Sequence, residues 1–186
     1  MHRDLIMNLL DECFPEDPTE QEDKARMLDF ISREPNCFER SCQEGHFTGS
    51  CWLENFDGSA ALLTHHKKIQ LWLQLGGHAD GDSNLLRVSL KEAQEESGLA
   101  VEPVSNKIFD IGVHLIPPYK DITQHYHYDV RFYLRATEDK PFVVSEESHD
   151  LKWVERQDQL PDNRDVQRMS RKWKKLKHEE SGLLKS

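Results

Sequence analysis

Glu92, Glu95 and Glu96 stand at i, i+3 and i+4 of one stretch. On an α-helix that spacing projects all three side chains from neighbouring turns of one face. Carboxylates that close repel one another. A hard divalent cation that takes oxygen ligands, such as Mg²⁺ or Mn²⁺, relieves the repulsion and gives the cluster a use in handling phosphate. Taken alone, three glutamates on a helix more often mean a solvated acidic face. The flanks weigh against that. Gly77-His-Ala-Asp-Gly-Asp-Ser83 is a glycine-containing loop leading into the helix. Leu86, Leu90 and Ala93 form an adjacent apolar stripe, and Gly98 is placed to end the helix in left-handed geometry.

Two further groups could carry chemistry. Gln124 to Leu134 alternates as a strand does, with His125, His127, Asp129 and Arg131 on one face and Tyr126, Tyr128, Val130 and Phe132 on the other. If the polar face lines a cleft, His125, His127 and Arg131 contact phosphate oxygens; an antiparallel strand with one wet face has the same pattern. A zinc site from His125 and His127 lacks a third ligand nearby in sequence. His78, Asp80 and Asp82 either approach a ligand or serve the turn around Gly81, where aspartate is favoured. The second group is the acidic loop Ser145-Glu-Glu-Ser148 ahead of Trp153.

These residues need elements to position them. Leu5, Ile6, Leu9, Leu10 and Cys13 recur at helical spacing. A second helix follows Asp17-Pro18, with Thr19 and Glu22 spaced as a capping box and Pro35 marking its end. Residues 1–45 therefore read as a helical extension and 46–186 as the main domain. Its short strands around residues 59–66 and 72–77, with the glutamate helix, make the class α/β. Asn163 to about His178 is a last helix, with Val166, Met169, Trp173 and Leu176 as its stripe. Arg168, Arg171, Lys172, Lys174, Lys175 and Lys177 are expected on its solvated remainder.

At 186 residues the chain can bury one good core. Its net charge of −10 opposes binding to a nucleic-acid polymer, but not to a small phosphorylated ligand whose cations reverse the local field. No apolar run is long enough to span a bilayer, so no membrane partner is expected. The acidic N-terminal stretch does not read as a secretory signal, which makes a cytoplasmic protein the expectation. Cys37, Cys42 and Cys51 with His46 have a loose zinc-like spacing, but no C-x-x-C pair; reduced, structural cysteines are expected instead.

The stretch Gly77–Leu99 resembles the Nudix hydrolase signature. Gly77, Glu92, Glu95, Glu96, Gly98 and Leu99 fall in register with it without a gap. Ser83 stands where the family has its first glutamate, and Lys91 where it has arginine. Leu73-Gln-Leu-Gly-Gly-His-Ala-Asp-Gly-Asp82, with His125-Tyr-His-Tyr-Asp-Val-Arg131, is similar to a bacterial subgroup of that family. The resemblance covers roughly residues 37 to 155. It implies a Nudix-like α/β/α sandwich with a mixed sheet, here with an N-terminal helical extension. It implies a metal-dependent hydrolase that cleaves a diphosphate linkage in a nucleoside diphosphate-linked or related substrate. By that resemblance Glu92, Glu95 and Glu96 hold Mg²⁺ or Mn²⁺, and Glu92, Glu96 and Glu147 are the catalytic carboxylates, with Glu146 the alternative to Glu147. Gly77, His78, His125, His127 and Arg131 are the substrate-binding candidates, with Lys68 a further basic group. A homodimer is the family's frequent assembly. Ser83 and Lys91 keep a second reading open, a catalytically weak module that binds a nucleotide-derived ligand.

Overall fold

A computed structural model of the chain describes residues 2–67, 69–145 and 148–183. Its elements run α1 (Asp4–Glu12), α2 (Pro18–Arg33), β1 (Gly45–Glu54), β2 (Ala60–His66), β3 (Trp72–Leu73), β4 (Leu75–His78), α3 (Leu85–Ser97), β5 (Val101–Ile116), β6 (His125–Ala136), β7 (Ser148–Glu155) and α4 (Arg164–Leu183). The seven strands make one sheet in the order β3-β2-β1-β6-β5, with β4 paired to β1 and β7 to β2. β1 and β6 run parallel in unbroken register from Gly45↔Tyr126 to Glu54↔Arg135. All other strand pairs are antiparallel. The mixed sheet and its flanking helices form the expected α/β/α sandwich.

The strand period assigns the two faces. Phe47, Cys51 and Leu53 of β1 and Tyr128, Val130, Phe132 and Leu134 of β6 point to one side. There they pack in a single core with Ile6 and Leu10 of α1, Met27, Phe30 and Ile31 of α2, and Leu85, Val88 and Ala93 of α3. The N-terminal helices thus cover the sheet beside the glutamate helix. On the other side Trp52, Ala61, Leu63, Tyr133 and Val154 meet Val166, Met169 and Trp173 of α4. Among the described residues no helix is long and apolar enough to cross a membrane.

Several local expectations need correction. The cap of α2 is Asp17, whose Oδ1 accepts from the Thr19 and Glu20 amides at 2.9 Å, with Pro18 in the first turn. Thr19 lies inside the helix. α4 is not basic and solvated around its apolar stripe. Arg168, Lys172 and Lys177 are buried, and Leu176 is among the exposed apolar side chains. The reason is the sheet face beneath α4, which carries acids that need partners. Lys172 reaches Glu20 and Asp110, and Lys177 reaches Glu54.

Candidate active site and a histidine cluster across one strand

β4 divides two groups of candidate residues. It pairs with β1 as Ser50↔Gly76, Gly49↔Gly77 and Thr48↔His78. Successive residues of a strand face opposite sides, so Gly77 faces α3 and His78 faces away from it.

On the α3 side the glutamates close on the two glycines. A Cβ on Gly77 would stand 2.5 Å from Cδ of Glu92, so a side chain there would displace the Glu92 carboxylate. The Gly76 amide donates to Oε2 of Glu96 at 3.0 Å. Glu96 is buried, Glu92 is mostly covered, and Glu95 has a side chain 58 % exposed. The ammonium of Lys91 stands 3.4 Å from both Glu92 and Glu95. Gly98, at φ +70°, ends α3, and Asn84 caps its start by accepting from the Arg87 amide at 3.1 Å. Glu92 and Glu96, one turn apart against the Gly76-Gly77 backbone, offer oxygen donors only. That donor chemistry fits a hard divalent cation.

Ser83 brings no carboxylate to the loop, and the loop is held by other means. Asp82 accepts from Arg87 at 2.6 and 2.7 Å and from the Asn84 amide at 2.9 Å. Asp80 pairs with Arg40. The Gly81 amide donates to the carbonyl of Phe38 at 2.9 Å, and Gly81 takes φ +86° against the Glu39 side chain. Residues 38–40, from the N-terminal extension, therefore clamp the turn that precedes the glutamate helix. Asp80 and Asp82 serve the loop's structure.

Across β4, His78 joins His46, His125 and His127. The parallel register sets His46 beside His127. Five of the ring pairs among these four histidines lie 4.8–5.1 Å apart between centroids. His46 is 3 % exposed, and among the described residues neither of its ring nitrogens has a hydrogen-bond partner. Burial is the first cause of low proton affinity here. It pushes His46 and His78 down to about 4 and His127 to about 3, with neighbouring histidines and Arg40 adding to the effect. All three rings are neutral at pH 7. His125 Nδ1 lies 2.8 Å from the Thr123 carbonyl. A carbonyl only accepts, so Nδ1 carries a proton. Sequence reasoning paired His125 with His127 and set His46 beside the cysteines, not beside these two rings. The alternation His46, Thr48, Ser50 on β1 was the available signal.

Further along the same face, Arg131 departs from its expected role. It is completely buried and donates to Asp129 at 2.7 Å, to Asp110 at 2.6 Å and to Asp165 at 2.9 Å, with His114 Nε2 at 2.8 Å. Asp129 also accepts from Thr48, Ser50 and Gln74 at 2.6–3.0 Å. Arg168 adds two donors to Asp110. Despite burial, these surrounding cations and donors hold Asp110, Asp129 and Asp165 below the usual carboxylate range. This places Arg131 in the interior, where protein acceptors engage its guanidinium. Glu146, Glu147 and Lys68 lie outside the described residues. Cys13, Cys37, Cys42 and Cys51 are free and buried, as expected, and burial raises the Cys13 and Cys37 thiols to about 11 and about 12.

No protein-family model and no curated protein matches the chain. Solved structures do. A hydrolase of the NUDIX family from Clostridium perfringens aligns at TM-score 0.52 and 22 % identity over 70 % of this chain and 97 % of that one. A MutT protein from Methanosarcina mazei aligns at TM-score 0.56 and 15 % identity over 70 % and 94 %. A UDP-X diphosphatase aligns at TM-score 0.52 and 14 % identity over 93 % and 92 %. The chain has a Nudix-like fold.

Proposed function

We propose that the chain is a metal-dependent hydrolase that cleaves a diphosphate linkage in a nucleoside diphosphate-linked or related small substrate. The observation that carries this reading is the closure of Glu92 and Glu96 on the Gly76-Gly77 backbone of β4, within a Nudix-like fold. The solved neighbours, a UDP-X diphosphatase among them, are consistent with it. Glu92, Glu95 and Glu96 would hold Mg²⁺ or Mn²⁺, which supplies charge neutralisation for a diphosphate. The chain's own contribution is positional. The Gly76 amide fixes the Glu96 carboxylate, and the missing side chain at Gly77 lets Glu92 reach the loop backbone. A carboxylate accepts the proton of the attacking water, either Glu147 or one of the signature glutamates. Lys91 balances the charge of Glu92 and Glu95.

A panel of nucleoside diphosphate sugars, dinucleoside polyphosphates, nucleoside triphosphates and coenzyme diphosphates, assayed with and without Mg²⁺ or Mn²⁺, tests the reading. At least one class should turn over only with metal. Glu96→Gln should reduce that turnover by about 100-fold or more, the scale of losing a principal electrostatic group in an active site. Glu95→Gln should cost less, because Glu95 stands apart from the glycine backbone of β4. The Lys91 contacts favour a second reading, a weak or inactive binding module, since an ammonium already neutralises the carboxylates. Metal-dependent nucleotide binding with no turnover across the panel would establish that alternative.

A further inference from the structure

The geometry points to a second metal site, a transition-metal centre built from His46, His125 and His127, with His78 beside them, separate from the glutamates. Imidazole ligands suit Zn²⁺ and its first-row neighbours rather than Mg²⁺. Four imidazoles on one tetrahedral Zn²⁺, with Zn–N of about 2.0–2.1 Å, put their ring centroids about 5 Å apart and their ligating nitrogens about 3.3 Å apart. The centroids here are 4.8–5.1 Å apart in five pairs. His125 Nε2 and His127 Nε2 are 3.2 Å apart. The ligand atoms of His46, His125 and His127 all lie within 4.8 Å of one another. The rings are therefore already grouped at nearly the spacing a bound ion requires.

The decisive residue is His46. An imidazole that is 3 % exposed, with both nitrogens lacking a partner among the described residues, forfeits hydrogen bonds it would make with water. Packing alone does not call for a histidine there, since an apolar side chain of similar size would carry no such cost. A metal ion supplies the missing partner. The bond from His125 Nδ1 to the Thr123 carbonyl is the outer support that metal-ligating histidines commonly have, and it aims Nε2 at the cluster. The ring of His78 rests against those of His46 and His127 at 5.0 and 4.9 Å. Because His78 follows Gly77 in β4, an ion held by the other three would brace, through that contact, the strand on which Glu92 and Glu96 close. The centre is structural in this respect and takes no part in the proposed hydrolysis.

The test uses the untagged full chain, stripped with chelator and dialysed, then titrated with Zn²⁺ alone. Elemental analysis should return one Zn²⁺ per chain that survives gel filtration, and the ion should raise the thermal midpoint. Co²⁺ in its place should give the intense visible bands of a tetrahedral site. His46→Leu should abolish binding while leaving the metal-free fold at least as stable, because it removes an unpartnered polar ring. His125→Ala, at a half-buried position, gives the same loss by a second route should His46→Leu fail to fold. Glu92→Gln and Glu96→Gln should leave the bound Zn²⁺ in place. Sub-stoichiometric Zn²⁺ in the wild type, retention by both histidine variants, or loss in the glutamate variants would each overturn the assignment.

Discussion

The two ends of the polar sheet face beneath α4 obey opposite rules. At one end Arg131, Arg168 and Lys172 meet Asp110, Asp129, Asp165 and Glu20, and the cations are fully engaged. At the other end His46 is also buried, yet among the described residues its nitrogens have no hydrogen-bond partner. β6 runs through both ends, with Asp129 and Arg131 at one and His125 and His127 at the other. The difference shows how to read buried polarity. A satisfied network accounts for itself as structure, whereas an unsatisfied group points to a partner from outside the chain.

The comparison can be broken by substitution. Arg131→Met should be the most damaging change, because it removes the buried cation that joins three carboxylates and leaves Asp129 with neutral donors only. It should lower unfolding stability by about 3–5 kcal/mol, read from the urea midpoint. An unchanged midpoint would mean that the network is not what holds β5, β6 and α4 together. Ser50→Ala removes one of the donors to Asp129 and should cost about 1–3 kcal/mol by the same measurement.

Acid should separate the two ends in the metal-free protein. The folded histidines protonate near pH 4 and 3, while the unfolded ones protonate near the ordinary 6.5. Between those values the unfolded chain binds more protons, so stability falls as pH drops below about 6.5. The depressed carboxylates of Asp110 and Asp129 act later, weakening the fold only as pH falls below about 4. Thermal midpoints should therefore decline in two stages, and His46→Leu should shrink the first alone. The smallest effect belongs to Arg40→Ala. Its exposed pair with Asp80 should be worth less than about 1 kcal/mol, although the loop beside Gly81 should exchange its amide protons faster.

The glutamate helix and the α/β class were legible in the sequence because both rest on local signals, whereas the sandwich was expected only from the resemblance of Gly77–Leu99 to the Nudix signature. Apolar spacing, Gly98 as a stop and the period of β6 are all read within a dozen residues. The cap of α2 was misplaced by two residues because Asp17 and Thr19 are both good caps, and Pro18 decides between them. The burial of Arg168 and Lys172 could not be read locally, since their partner Asp110 lies on another strand. The histidine cluster escaped for the same reason. His125 and His127 are neighbours on one strand, but their third member arrives through a parallel pairing.

That pairing also constrains how the molecule comes together. Residues matched across β1 and β6 are separated by 81 positions in the chain, with β2, β3, β4, α3 and β5 between them. Contacts this distant close only after the chain has surrendered a large loop entropy, which makes them slow and late. A nascent or partly refolded molecule therefore presents His46 and His127 as unrelated side chains. Recovery of Zn²⁺ capacity during refolding should lag behind recovery of helical signal, so the histidines would act as a clock for the final strand docking.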